Sequence, residues 1–216
     1  IEVGFPFSDP IADGPTIAAT MAEVLEAGID VDEIMNAVAA VRERVSCPIL
    51  AMVSASIVYR RGPEAFLSAL SKTGFDGLIV PDLDLAQATH MRSLADDHDL
   101  GLVLLASATT SDQRLAEIAK NSSGFIYLLA RSGLTGEQTQ APDVQKSVER
   151  LRALTPTPIA AGFGISTPAH VAAVTKHADA AIVGSSLVRR ITEAEDPVAQ
   201  AAAYVTSLCP SSATTE

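Results

Sequence analysis

The sequence contains no tryptophan, and aromatic residues make up only 4% of its 216 positions. Bases of single-stranded nucleic acid stack on such rings, so that binding platform is absent. A formal net charge of −11 removes the basic footprint too, which argues against nucleic acid and against an anionic membrane surface as partners. No apolar run reaches the roughly 18 residues that a membrane-spanning helix needs. Cysteine is scarce: Cys47 and Cys209 stand far apart without metal-ligand spacing, so a reducing cytoplasm is the expected compartment. No H-E-x-x-H, no paired histidines and no G-x-S-x-G occur, and no metal site is expected. His90, His98, His170 and His177 fall in or near helical stretches and are expected to be solvent-exposed, away from any chemistry.

What the sequence does have is apolar surface to bury: 48% of residues are apolar and 19% charged. That balance suits a single domain built on buried parallel strands. Short apolar, β-branched runs occupy 1–4, 49–53, 77–80, 102–106, 125–129, 159–161 and 180–183. From the second onward these runs start 21 to 34 residues apart, the length of one βα unit. Helical signals fill the intervals. Ile17, Met21, Val24 and Leu25 recur with helical period before Gly28. Asp30 and Glu33 form a capping-box pattern, Ser111 is an N-cap candidate, and Thr167-Pro168 places a cap ahead of an N1 proline. A helix is expected from near Leu85, another over 197–208, and a frayed tail over 211–216.

Seven parallel strands with intervening helices predict a TIM-type (β/α)8 barrel, with an open doubly wound sheet as the alternative. Ile1-Glu2-Val3-Gly4 reads as the body of a strand with no turn before it, so the chain is expected to be N-terminally incomplete, its first βα unit lying upstream.

Four loops carry polar residues where strands end, which is the active-site face of a barrel. The run Pro6-Phe7-Ser8-Asp9-Pro10-Ile11-Ala12-Asp13-Gly14-Pro15 follows the first strand, in which Glu2 is an acid among apolar neighbours. Burial would raise the Glu2 pKa toward neutrality and suit it to proton transfer. Equally, Glu2 could serve as a structural hydrogen-bonding group and Asp9 and Asp13 as turn residues. Gly162-Phe163-Gly164-Ile165-Ser166 and Gly184-Ser185-Ser186 end two adjacent strands. Glycine lets the backbone approach an anion and the amides of a new helix point at it; each cluster alone also fits a plain tight turn, while the pair favours a phosphate site. Tyr127 ends a strand, and the loop Arg131-Ser132-Gly133-Leu134-Thr135-Gly136 is either a lid or an ordinary surface connection.

The segment EVGFPFSDPIADGPTI (2–17) closely resembles the signature of the tryptophan synthase α-subunit family. DGLIVPDL (76–83), RSGLTG (131–136), GFGIS (162–166) and IVGSSLV (182–188) follow in that family's order and spacing, so the resemblance runs from residue 1 to about Ile191. It implies a (β/α)8-barrel lyase that cleaves indole-3-glycerol phosphate into indole and glyceraldehyde 3-phosphate by a retro-aldol step. It further implies an αββα assembly in which indole passes to a pyridoxal-phosphate β subunit, with no cofactor in this chain. Carried over by position, Glu2 and Asp13 match the catalytic pair, Tyr127 a pocket tyrosine and Thr135 the lid threonine. Gly136, Phe163, Gly164, Gly184 and Ser185 match the phosphate cradle. The chain departs from the family at Ser54-Ala55-Ser56-Ile57, at Asp84 and at Ser107-Ala108-Thr109-Thr110, positions that bear on the indole and β-subunit side. A non-catalytic α-like subunit that binds and activates a β subunit is the competing reading, though it gives no reason to keep both carboxylates. Other phosphate-binding barrels, such as indole-glycerol-phosphate synthase, share the glycine turns but lack PFSDPIADGP.

Overall fold

The computed structural model describes residues 1–10, 13–130 and 141–209. The expected lid loop, with Thr135 and Gly136, and the tail at 211–216 lie outside the described residues.

The strands fall where the apolar runs are: β1 (Glu2–Gly4), β2 (Leu50–Met52), β3 (Gly77–Ile79), β4 (Gly101–Val103), β5 (Leu105–Ser107), β6 (Ile126–Leu129), β7 (Ile159–Gly162) and β8 (Ala180–Ile182). All pairing is parallel and strictly sequential, β1-β2-β3-β4 and then β5-β6-β7-β8. A doubly wound sheet reverses its strand order at a switch point, and no reversal occurs among the described strands, which sets that alternative aside. The run expected as one strand over 102–106 is divided at Leu104, its first part pairing back to β3 and its second forward to β6. The stagger of a barrel wall produces this hand-over.

Helices separate the strands: α1 (Pro15–Glu26), α2 (Val31–Val41), α3 (Ala55–Arg61), α4 (Pro63–Lys72), α5 (Ala88–Asp97), α6 (Asp112–Asn121), α7 (Gln145–Arg152), α8 (Pro168–Val174), α9 (Ser185–Glu193) and α10 (Pro197–Leu208). Local chemistry starts them where expected. Asp30 and Glu33 close a reciprocal capping box on α2, Ser111 caps α6, and Thr167 caps α8 ahead of Pro168. The helix expected near Leu85 begins as a 3-10 turn at Leu85–Gln87.

Side chains alternate between two cores. Outward-facing Ala51, Leu78, Leu102, Ala106, Leu128 and Ala161 meet the helices in one large cluster. Inward-facing Leu50, Met52, Ile79, Val103, Leu105, Tyr127 and Leu129 pack together in the lumen with Phe163 and Ile182. Two similar braces fix the strand starts. Asp76 accepts the Ile49 amide at 2.7 Å and pairs with Arg42; Asp179 accepts the Ile159 amide at 2.8 Å and pairs with Arg152.

Three histidines are placed away from the strand ends as expected, with His90 and His177 exposed, while His98 is half-buried rather than exposed, against Glu64 at 3.2 Å. The fourth departs from the expectation of exposure: His170 is 5% exposed, because α8 turns it inward where its Nδ1 accepts the Ser166 amide at 3.4 Å.

Candidate active site

In parallel pairing, residues in register share a face. Glu2 is in register with Leu50, and Gly4 with Met52, both lumen residues, so Glu2 points into the barrel. An ionised carboxylate there loses water that the lumen does not replace. Burial pushes Glu2 up to about 7, against a smaller opposing pull from the α-amino group of Ile1. The acid foreseen in the first strand is therefore a group that exchanges a proton near neutral pH.

Asp13 stands at the end of the loop after β1, just before α1, with its amide donating to the Pro10 carbonyl at 3.3 Å. Burial raises its carboxyl above the ordinary aspartate range. Tyr127 faces the lumen from β6 and is 5% exposed. Its hydroxyl is held protonated, first by burial and then by the negative charges of Glu2 and Asp13. The three side chains therefore share one electrostatic environment.

The G-F-G turn adds the next wall. Phe163 stands edge-on to Tyr127, centroids 6.3 Å apart, and takes a left-handed φ of 82°. Such a conformation is uncommon outside glycine and is characteristic of functional turns. Gly164 follows at φ 76°. Gly162 is marked by the sequence only as part of a turn, yet it also makes room for a neighbour, because a Cβ there would run into the Tyr127 ring and hydroxyl. The alternation of β6 and β7 side chains is the signal for that contact, since Tyr127 and Gly162 both face inward.

Gly184 precedes α9 as its N-cap, with no side-chain cap. Ser185 therefore opens a helix whose first amides have no side-chain cap, a partial positive charge suited to an anion. Gly184 itself has open space around its Cα. Phe163, Gly164, Gly184 and Ser185 thus lie on the turns after β7 and β8, which are adjacent in the sheet. Thr135 and Gly136 lie outside the described residues and take no part in this geometry.

A match to the family model of the tryptophan synthase alpha chain covers residues 1–215. The chain belongs to the tryptophan synthase α-chain family. It is 42% identical to the alpha chain of Chloroflexus aurantiacus over 211 residues, which cover 96% of this chain and 79% of that protein. The Thermosynechococcus vestitus alpha chain is 39% identical over 210 residues, with the same coverages. The solved tryptophan synthase A-subunit of Pyrococcus furiosus superposes with a TM-score of 0.89 at 33% identity, over 96% of this chain and 85% of that one. Family membership makes the chain a lyase of tryptophan biosynthesis with a TIM-type barrel.

Where the chain departs from the family pattern, the polar groups are hydrogen-bonded. Ser54 caps α3 and donates its hydroxyl to Asp82 at 2.7 Å, while Asp82 also accepts the Ala55 amide at 2.8 Å. Asp84 accepts the Ala86 amide at 3.1 Å. The Ser107 amide donates to Thr110 Oγ1 at 2.9 Å, and Arg150 donates to the Ala108 and Thr110 carbonyls. The loops after β2, β3 and β5 are tied by these bonds. Among the described residues no group of three or more His, Cys, Asp or Glu side chains is placed to hold a metal, and no helix is long and apolar enough to cross a membrane.

Proposed function

We propose that this chain cleaves indole-3-glycerol phosphate into indole and glyceraldehyde 3-phosphate. The observation that carries this reading is Glu2: a carboxyl group in the lumen, poised near pH 7 beside Tyr127 and Asp13. Retro-aldol cleavage needs one group that first gives a proton to C3 of the indole ring and then takes one from the glycerol hydroxyl. A carboxyl with a pKa near the working pH does both at comparable cost.

In the first step protonated Glu2 delivers its proton to C3 while ionised Asp13 takes the proton from the ring nitrogen. In the second, the Glu2 carboxylate removes the hydroxyl proton next to the scissile bond. The carbon–carbon bond breaks, its electrons return to the ring, and Asp13 restores the proton to nitrogen. Both carboxyls end as they began. Tyr127 and Phe163 line the ring's side of the pocket. The backbone at Phe163 and Gly164 and the α9 amides at Gly184 and Ser185 hold the phosphate; Thr135 and Gly136, the other two residues that the family resemblance marks, lie outside the described residues. The chain itself needs no metal or organic cofactor. Its partner is a pyridoxal-phosphate β subunit, in an αββα assembly of the cytoplasm.

Incubation with indole-3-glycerol phosphate tests the reading. Indole and triose phosphate are expected in a one-to-one ratio. Folded protein that binds the substrate and releases neither product overturns it.

A further inference from the structure

The two phosphate-type turns belong to different βα units, and their relative placement decides whether their amides converge on one anion. One side chain ties them together. Tyr204 of α10 is 6% exposed, and its hydroxyl donates to the Ser166 carbonyl at 2.8 Å. The same oxygen is hydrogen-bonded to Ser186 Oγ at 2.7 Å. A phenol has one proton and a carbonyl can only accept, so the Ser186 hydroxyl supplies the proton of the second bond. Ser166 ends the Gly162–Ser166 turn after β7, and Ser186 is the second residue of α9. The opposite side of Ser166 is held as well, its amide donating to buried His170 at 3.4 Å. The Tyr204 ring is fixed by the Arg190 guanidinium, 4.3 Å from its centroid.

We infer that Tyr204 is a positioning residue for the phosphate end of the substrate, its hydroxyl setting the spacing between the turn after β7 and the N-terminus of α9. The inference rests on the phosphate cradle proposed above. A C-terminal helix packed only for stability would need no polar atom at this point, since Phe would fill the same volume. Instead a buried hydroxyl bridges Ser166 and Ser186, residues 38 and 18 positions away in sequence. Loss of the bridge leaves both turns intact but frees them to shift relative to each other.

Tyr204→Phe keeps the ring, its burial and the Arg190 contact, and deletes only the bridge. Glycerol 3-phosphate and indole serve as separate probes of the two ends of the pocket. Tyr204→Phe deletes both bridge hydrogen bonds and is expected to weaken glycerol 3-phosphate about five- to tenfold, since part of their combined energy falls on ligand binding, and to change indole affinity less than about twofold. KM for indole-3-glycerol phosphate should rise in parallel, with kcat within about twofold of the parent. Ser186→Ala, which removes half the bridge, should shift the same quantities in the same direction. Unchanged glycerol 3-phosphate affinity in folded Tyr204→Phe overturns the inference, as does equal weakening of both probes, the pattern of a merely structural brace. Gly184→Asp sets a negative charge in the cradle and controls for the underlying reading. If it binds glycerol 3-phosphate like the parent, the cradle lies elsewhere and the role of Tyr204 falls with it.

Discussion

Replacing Glu2 by Gln removes an ionisable group while keeping its shape, and the consequence for stability follows from the position of Glu2 in the lumen. The ordinary glutamate value is 4.5 and burial carries Glu2 to about 7. Below pH 4.5 the carboxyl is protonated in folded and unfolded chains alike and contributes no pH-dependent difference. Between 4.5 and 7 the folded chain holds more protons than the unfolded one, so stability falls as pH rises. Above 7 both states are ionised and the folded chain bears the full cost of a charge in the lumen. An interval of about 2.5 pH units at ~1.4 kcal/mol each gives about 3 kcal/mol; partial solvation of the side chain reduces this to about 2–3 kcal/mol. Glu2→Gln should therefore be more stable than the parent at pH 8 by that amount relative to their difference at pH 4.5. For a domain of this size the gain corresponds to roughly 5–10 °C in Tm. Urea unfolding of both proteins at intervals from pH 4.5 to 8 measures it directly. A difference that stays flat across that range refutes the placement of a desolvated carboxyl at Glu2.

Three further outcomes are expected. The pH profile of kcat/KM for indole release should be bell-shaped, because Glu2 must start protonated and Asp13 ionised. Its falling limb should lie near pH 7 and its rising limb above the ordinary aspartate range; activity that climbs steadily through pH 8 contradicts the assignment. Gly162→Ala should lose about 1–3 kcal/mol of stability and most activity, since the new methyl displaces the Tyr127 ring. The stability loss should shrink when Tyr127 is also Ala, as measured by thermal unfolding of the four proteins in the cycle. Asp179→Ala should cost about 1–2 kcal/mol by urea unfolding at pH 7, because it leaves the Ile159 amide without its acceptor and removes the carboxylate partner of Arg152. The Arg42–Asp76 brace should stay intact.

The strands and most helix starts are legible in the sequence because the signals are local. A β-branched run, a capping box at Asp30 and Glu33, or Thr167 before Pro168 acts within a few residues of where it is written. Glu2 is legible as an acid in an apolar strand, and its raised pKa follows from the same alternation that buries Leu50 and Met52. What escapes the sequence depends on partners far off along the chain. The division of the fourth strand at Leu104 comes from barrel stagger, the burial of His170 from how α8 rolls onto the sheet, and the Tyr127–Gly162 contact from the pairing of β6 with β7. The Tyr204 bridge joins three elements and has no local signature at all. Ser54, Asp84 and Ser107 stand out in sequence only as departures, and their hydrogen bonds become visible once the loops after β2, β3 and β5 are placed.

Glu2 makes two of the proposed proton transfers, at C3 of the ring and at the glycerol hydroxyl. Glu2→Gln should bind glycerol 3-phosphate as the parent does and release no detectable indole from indole-3-glycerol phosphate in a single-turnover assay. Appreciable indole from that variant would contradict the role assigned to Glu2.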